Sequence, residues 1–381
     1  MDLQTVQKNI DEVAREFGRD WKGRQRRRGL ETQDFDDLRS AGFHLTGVPE
    51  SHGGVWTELP EATRSICHML RTLARSDSSL SLVASMHPSM MGIWTALPEV
   101  APEFQTSWSK QREYVFDSAL KGCWWGTITS EPGTNGDLML TKSMASPTDQ
   151  SMKYLIDGTK HFGSGSGLAR RMVTTAVPQG ESQPDLFIAE MPEMPWEGKE
   201  GVQLLAAWDG HGMTATQSHS LKFISLDAER VAWPGQITKL LGSQRGAISC
   251  MFTAVIVGII DAAVQEAKEK LKPSRKSMGA YEQIEWTRAL KDQWLLNQAF
   301  QGMLAAMEDV ASSARQTQFG KMAIAELADE IMLRIVRVVG GGAFSRSSPF
   351  SYWQQDVRAL GYLRPPWALS YERAFDAITA T

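Results

Sequence analysis

The sequence predicts an α+β fold with segregated parts: helices over residues 1–121, a β-rich domain over 122–234, and a helical bundle over 235–381. Three observations predict it. Apolar residues recur at three- and four-residue steps toward both ends of the chain, and short β-type runs between turn formers fill the middle. Glycine and proline cluster between those runs. Helices, then strands, then helices again give an α+β assembly.

Each element has its own reason. Val6, Ile10, Val13 and Phe17 mark the buried stripe of an amphipathic helix. Residues 76–91, rich in Ser, Met and apolar side chains, read as a helix buried on most sides. Beyond Cys123, strand formers occur at Tyr154-Leu155-Ile156, 172–177, 186–189 and 221–226, with prolines and glycines from Pro178 to Gly198 breaking the loops between. Asp157-Gly158 reads as a hairpin turn, because both residues tolerate positive φ. After Pro234, residues 251–270, 283–310 and 317–339 read as long helices, the last stopped by Gly340-Gly341-Gly342.

Bulk composition narrows the function. A chain of 381 residues, 42% hydrophobic, buries a substantial core, and a net charge of −4 argues against a general nucleic-acid binder. The basic run over 24–28 is followed by Glu31, Asp34, Asp36 and Asp37, and reads as a solvated helix face. Three scattered cysteines give neither a disulfide framework nor metal-ligand spacing, which suits a reducing, cytoplasmic setting and no metal site. Residues 1–20 lack the pattern of a leader. The longest apolar run, 251–260, is shorter than the ~20 residues that span a bilayer. A soluble protein with no membrane partner is expected.

Two segments of the β-rich part carry chemistry. One runs Thr127-Ile128-Thr129-Ser130-Glu131-Pro132-Gly133-Thr134-Asn135-Gly136-Asp137, the other Asp157-Gly158-Thr159-Lys160-His161-Phe162-Gly163-Ser164-Gly165-Ser166-Gly167. Backbone amides freed by glycine, beside hydroxyls, suit the polar edge and pyrophosphate of a flavin. Either segment alone is explained by ordinary turns. Together and in this order they resemble the T-E-P-x-A-G-S-D and N-G-x-K-x-[WF]-I-[TS]-N-G segments of the acyl-CoA dehydrogenase superfamily. Residues 47–54 are similar to its V-P-E-x-x-G-G, and 211–216 to its G-M-R-x-T. Arg275 with Met278-Gly279 resembles R-x-x-F-G, Gly340-Gly341 resembles Q-x-x-G-G-x-G, and Asp356-Val357-Arg358 resembles R-D-x-[RK].

The resemblance implies a C-terminal four-helix bundle and FAD held by Thr129, Ser130, Phe162, Ser164, Arg275, Gly340 and Gly341. It also implies a homodimer or homotetramer, with Arg275 reaching a neighbour's pyrophosphate, where a solvated arginine is the bland alternative. The implied activity is oxidation of an acyl thioester at Cα–Cβ, with hydride passing to flavin N5 and on to an electron acceptor.

That chemistry needs a carboxylate base, and here the chain departs from the family. Eight residues past Asp356, where the glutamate usually stands, is Arg364, followed by Pro365-Pro366; between 242 and 260 there is no acid. Trp286 replaces a usual glutamine. Glu372 is the remaining candidate base, if residues 361–367 loop out; otherwise it is a surface glutamate beside Arg373. Arg364 is a candidate for binding an anionic substrate group.

The flavin-dependent monooxygenases of the same fold, of the dibenzothiophene type, need no such base. They are similar to this chain at residues 158–165 and at Ser85-x-His87. They imply reduced flavin, as FMN, from a partner reductase, with His87 a candidate proton donor to the oxygen chemistry; a packed helix histidine is its structural alternative. The histidines they carry near Arg358 are replaced by Leu360 and Arg364. A degenerate flavin-binding member without thioester chemistry is the third class.

Overall fold

The computed structural model describes residues 1–273, 277–363 and 365–379, so Arg275 and Arg364 lie outside the described residues. The chain opens with six helices: α1 (Leu3–Phe17), α2 (Trp21–Arg26), α3 (Thr32–Ser40), α4 (Leu59–Ala74), α5 (Ser78–Thr95) and α6 (Pro102–Leu120). Asp2 caps α1 by accepting the Thr5 N–H at 2.7 Å, and the buried stripe runs Val6, Ile10, Ala14, Phe17. Val13 is only half-buried, one position off the stripe. Every residue of α5 from Ser78 to Trp94 is buried.

The basic run is a solvated face only in part, at Arg26 and Arg28. Arg24 is 9% exposed and bonds Asp34 Oδ1 at 2.6–2.7 Å, while Arg27 bridges Asp34 at 2.8 Å and Asp77 at 2.5 Å. Arg28 pairs with Asp209 in a loop far along the chain. Buried charges persist where they are paired, and here the partners tie α2 to α3 and to the start of α5.

Seven strands follow: β1 (Trp125–Thr127), β2 (Met144–Pro147), β3 (Lys153–Gly163), β4 (Arg171–Pro178), β5 (Asp185–Glu190), β6 (Val202–Ala206) and β7 (His219–Arg230). β4 pairs parallel with β2, β2 antiparallel with β3, β3 with β7, β7 with β5, and β5 with β4. The sheet therefore closes on itself, with Ile156, Met172, Phe187 and Phe223 inside; β1 and β6 are appended to β4 and β7.

Asp157-Gly158 is not a hairpin turn. It lies within β3 at a break in register against β7, where Asp157 Oδ1 accepts the Ser225 N–H at 2.9 Å. Glycine is needed there because a Cβ would fall 2.0 Å from Ser143 Oγ. A bulge and a turn share the same local chemistry.

Six helices complete the chain: α7 (Ile237–Gly242), α8 (Ala247–Leu271), α9 (Ala280–Ala306), α10 (Ser313–Val339), α11 (Phe350–Gly361) and α12 (Trp367–Thr379). Gly340, at φ +82°, ends α10. α8 is long and apolar enough to cross a membrane by length and composition, but 78% of its apolar window is buried. It is packed by α4, α5, α9, α10 and α11, as a core helix. One hydrophobic core runs from α1, α4 and α5 through α8 to α10 and α11, so both helical parts share it.

Candidate functional site

A cavity of about 330 Å³ opens where the end of the sheet meets α5, α8 and α11. Pockets for small molecules start at roughly this size. Thr127, Thr129 and Ser130 enter it from β1 and the residues after it, and Phe162 and Ser164 from the end of β3. The loop before β7 adds Trp208, Met213, Thr216 and Ser218, and α5 and α8 add Leu82, Met86 and Phe252. The last turn of α11 and the residues after it supply Ala359, Leu360, Tyr362 and Leu363. The wall is thus apolar and aromatic with hydroxyls on the sheet side, and among the described residues no carboxylate lines it. A wider groove of about 520 Å³ beside Tyr114 is lined by the ion pairs Arg171–Glu190 and Lys153–Glu229, with Asp149 and Asp227 beside them.

Three of the hydroxyls form one network. Ser164 Oγ and Ser218 Oγ are 2.9 Å apart, Ser218 Oγ and Thr216 Oγ1 2.8 Å, and Thr216 donates to the Met213 carbonyl at 2.9 Å. Phe162 stands at φ +55° and is 63% exposed, edge-on to Trp208 at 6.0 Å. A bulky residue in left-handed backbone is strained, and a large ring in water is costly. Both features stand at the cavity wall.

Beneath this wall the two motif segments are clamped. The Ser130 carbonyl accepts the His161 N–H at 2.8 Å. Lys160, fully buried, gives its ammonium to Glu131 Oε1 at 2.5 Å and to the Thr175 carbonyl at 2.6 Å. Burial pushes the Glu131 carboxyl up, but Lys160 and hydrogen bonds from Ser143 and Lys142 outweigh it and hold the group below its ordinary value. The lysine and glutamate of these segments thus set the backbone that presents Ser130 and Phe162.

Of the residues singled out from sequence, Thr129, Ser130, Phe162 and Ser164 meet at the cavity. His87 does not line it. Its Nε2 bonds the His44 carbonyl at 2.8 Å, its Nδ1 accepts the Trp125 N–H at 3.1 Å, and burial lowers its pKa to about 4. It is a neutral joint between α5 and β1 with no nitrogen left for a ligand. Glu372 is exposed on α12, away from the cavity lining, and its neighbour Arg373 turns to Asp137 at 3.6 Å. Tyr362 and Leu363, just past α11, line the cavity instead. Gly340 and Gly341 lie at the end of α10, and a Cβ on either would meet nothing within 4 Å.

Sequence reasoning assigned no role to Trp208, Met213, Thr216, Ser218 or Tyr362. The G-M-R-x-T likeness over 211–216 was the available signal for Met213 and Thr216. For Trp208 and Tyr362 there was none.

No family model matches the chain. It is similar to dibenzothiophene monooxygenase of Mycolicibacterium goodii, 29% identical over 277 residues, covering 68% of this chain and 61% of that protein. The chain is thus matched along about three fifths of that relative's length. It is 25% identical to a putative acyl-CoA dehydrogenase, YdbM, of Bacillus subtilis, over 88% of this chain and 86% of that one. Its fold is that of FMN-bound TdsC from Paenibacillus sp. A11-2, with TM-score 0.80 and 20% identity over 98% of this chain and 96% of that one. The resemblance carried by the motifs is thus met by a relative named as an acyl-CoA dehydrogenase, and the chain is similar to proteins named as monooxygenases as well.

Proposed function

We propose that this chain is the oxygenase of a two-component flavin-dependent monooxygenase. It would take reduced flavin, as FMN, from a separate reductase and use dioxygen on a small uncharged substrate. The supporting observation is the cavity wall, with hydroxyls on one side, aliphatic and aromatic side chains elsewhere, and among the described residues no carboxylate. The names of the relatives point the same way.

The residues present fit a flavin. Each hydroxyl has one proton, and those of Ser164, Ser218 and Thr216 pass along the chain to the Met213 carbonyl, so their oxygens are left to accept from the ring's N–H groups, with Thr129 and Ser130 beside them. Phe162 and Trp208 supply flat apolar contact and exclude water, and Tyr362 stands 68% exposed as a third aromatic at the cavity. Bound there, reduced flavin supplies the electrons by which one atom of dioxygen passes to the substrate and the other leaves as water. The apolar remainder of the cavity selects the substrate. On α9, Tyr281, Ile284 and Trp294 are exposed, and a second copy of the chain covering them accords with a homodimer or homotetramer.

Acyl thioester dehydrogenation with FAD, the first expectation from the motifs, becomes the second reading. Removal of an α-proton needs a base within hydrogen-bond reach, and Glu372 is not on the cavity wall. Its support is the likeness to YdbM.

The test is turnover of purified chain with a flavin reductase, NADH, FMN and an aromatic heterocycle under labelled dioxygen. One labelled oxygen atom in the product, and no reaction without the reductase, is expected. Anaerobic bleaching of bound flavin by an acyl-CoA would reverse the order of the two readings.

A further inference from the structure

Asp356 does not line the cavity, yet it joins two segments that do. Its buried carboxylate accepts the Met213 N–H at 2.6 Å on one oxygen and the Ser78 hydroxyl at 2.6 Å on the other. Met213 stands at φ +53°, which a bulky residue keeps only when it is held from outside. Next to it, Gly212 packs so closely on α11 that a Cβ would fall 2.3 Å from the Gln355 carbonyl oxygen and 3.0 Å from Ala359 Cβ. Met213 and Thr216 line the cavity from the loop; Ala359 and Leu360, just beyond Asp356, line it from α11.

We propose that Asp356 is a positioning residue for the cavity, its ionised carboxylate fixing the Met213 turn against α11 so that affinity for a flavin ring follows its protonation. The ligand in this statement rests on the flavin reading; the joint itself does not.

The surroundings set where it titrates. Burial, with a smaller push from the Asp77 charge, raises the Asp356 carboxyl to about 6 against the hydrogen bonds from Ser78 and Met213. Asp77 is itself met by Arg27 at 2.5 Å and Arg24 at 3.7 Å. On α11, Arg358 turns to Asp329 at 2.8 Å, and in the loop His211 is exposed. As pH falls through 6 the carboxyl gains a proton, and the charge-assisted bond to Met213 becomes a neutral one, roughly half as strong.

The test titrates riboflavin, which has no phosphate to ionise, into the full chain by fluorescence quenching between pH 5 and 8. Wild type is expected to lose roughly fivefold in affinity on acidification. Asp356→Asn accepts from Met213 and donates to Ser78 without titrating, so its profile should be flat. Amide exchange over 211–217 reads the same joint without flavin; corrected for intrinsic rates, it should quicken below pH 6 in wild type alone. Parallel pH profiles in the two proteins, or no change in exchange, overturn the proposal. If neither riboflavin nor FMN, oxidised or reduced, binds at any pH, the flavin reading falls, while exchange still decides whether Asp356 holds the turn.

Discussion

Replacing Lys160 with methionine should show how the cavity's sheet-side wall is held. The ammonium is wholly buried, 2.5 Å from Glu131 Oε1 and 2.6 Å from the Thr175 carbonyl. Methionine has similar length and leaves little void. Glu131 then keeps the Lys142 N–H at 2.6 Å and the Ser143 hydroxyl at 2.7 Å, but loses its buried counter-charge. Removing one partner of a buried pair costs about 3–5 kcal/mol, and the remaining donors place this case near the lower figure. The pH dependence has a definite sign. In wild type the Glu131 carboxyl is held below its ordinary value, so its contribution is complete above the unfolded value and is lost as pH falls through the lower, folded one. Without Lys160, burial pushes that carboxyl up and acid relieves the variant. The difference between the two proteins should therefore narrow on acidification. Urea unfolding of wild type, Lys160→Met, and Lys160→Met with Glu131→Gln, which removes the charge but keeps an acceptor for Lys142 and Ser143, measures it. The double variant should recover most of the loss. A loss under about 1 kcal/mol, or strict additivity, would refute the clamp.

Phe162→Ala should leave stability within about 0.5 kcal/mol, because the ring is 63% exposed, yet weaken FMN binding about tenfold in a quenching titration. Lys321 gives its ammonium to the Leu363 and Pro365 carbonyls, and burial lowers it to about 7. Between there and the ordinary lysine value the unfolded chain holds a proton that the native state lacks, so stability rises with pH over that window. Melting temperatures of wild type against Lys321→Met from pH 7 to 10 should show that rise in wild type only. Asp356→Asn, which removes a buried charge pushed up to about 6, should melt no lower than wild type at pH 7.5.

The helices were legible because burial imposes a period: Val6, Ile10 and Phe17 face the core, and α5, which has no Asp, Glu, Lys or Arg, is enclosed. Thr129, Ser130, Phe162 and Ser164 were legible because two local segments carry them. What sequence reading missed was set by residues far away in the chain. Gly158 mimics a turn until Ser143 is seen against it. Arg24 and Arg27 suggest a solvated face until Asp77, fifty residues beyond Arg27, is placed beside them. His87 sits in a suggestive motif, but the His44 carbonyl and the Trp125 amide occupy its ring. Tyr362 reaches the cavity just before a stretch whose carbonyls, at Leu363 and Pro365, bond the distant Lys321. No local pattern encodes such contacts.

The most direct measurement is diffraction from crystals of this chain soaked with FMN. The ring should occupy the cavity beside Phe162, with its polar edge toward Ser164, Thr216 and Ser218. FMN density elsewhere, or a clear cavity in protein saturated with FMN, would contradict the assignment of this cavity to a flavin.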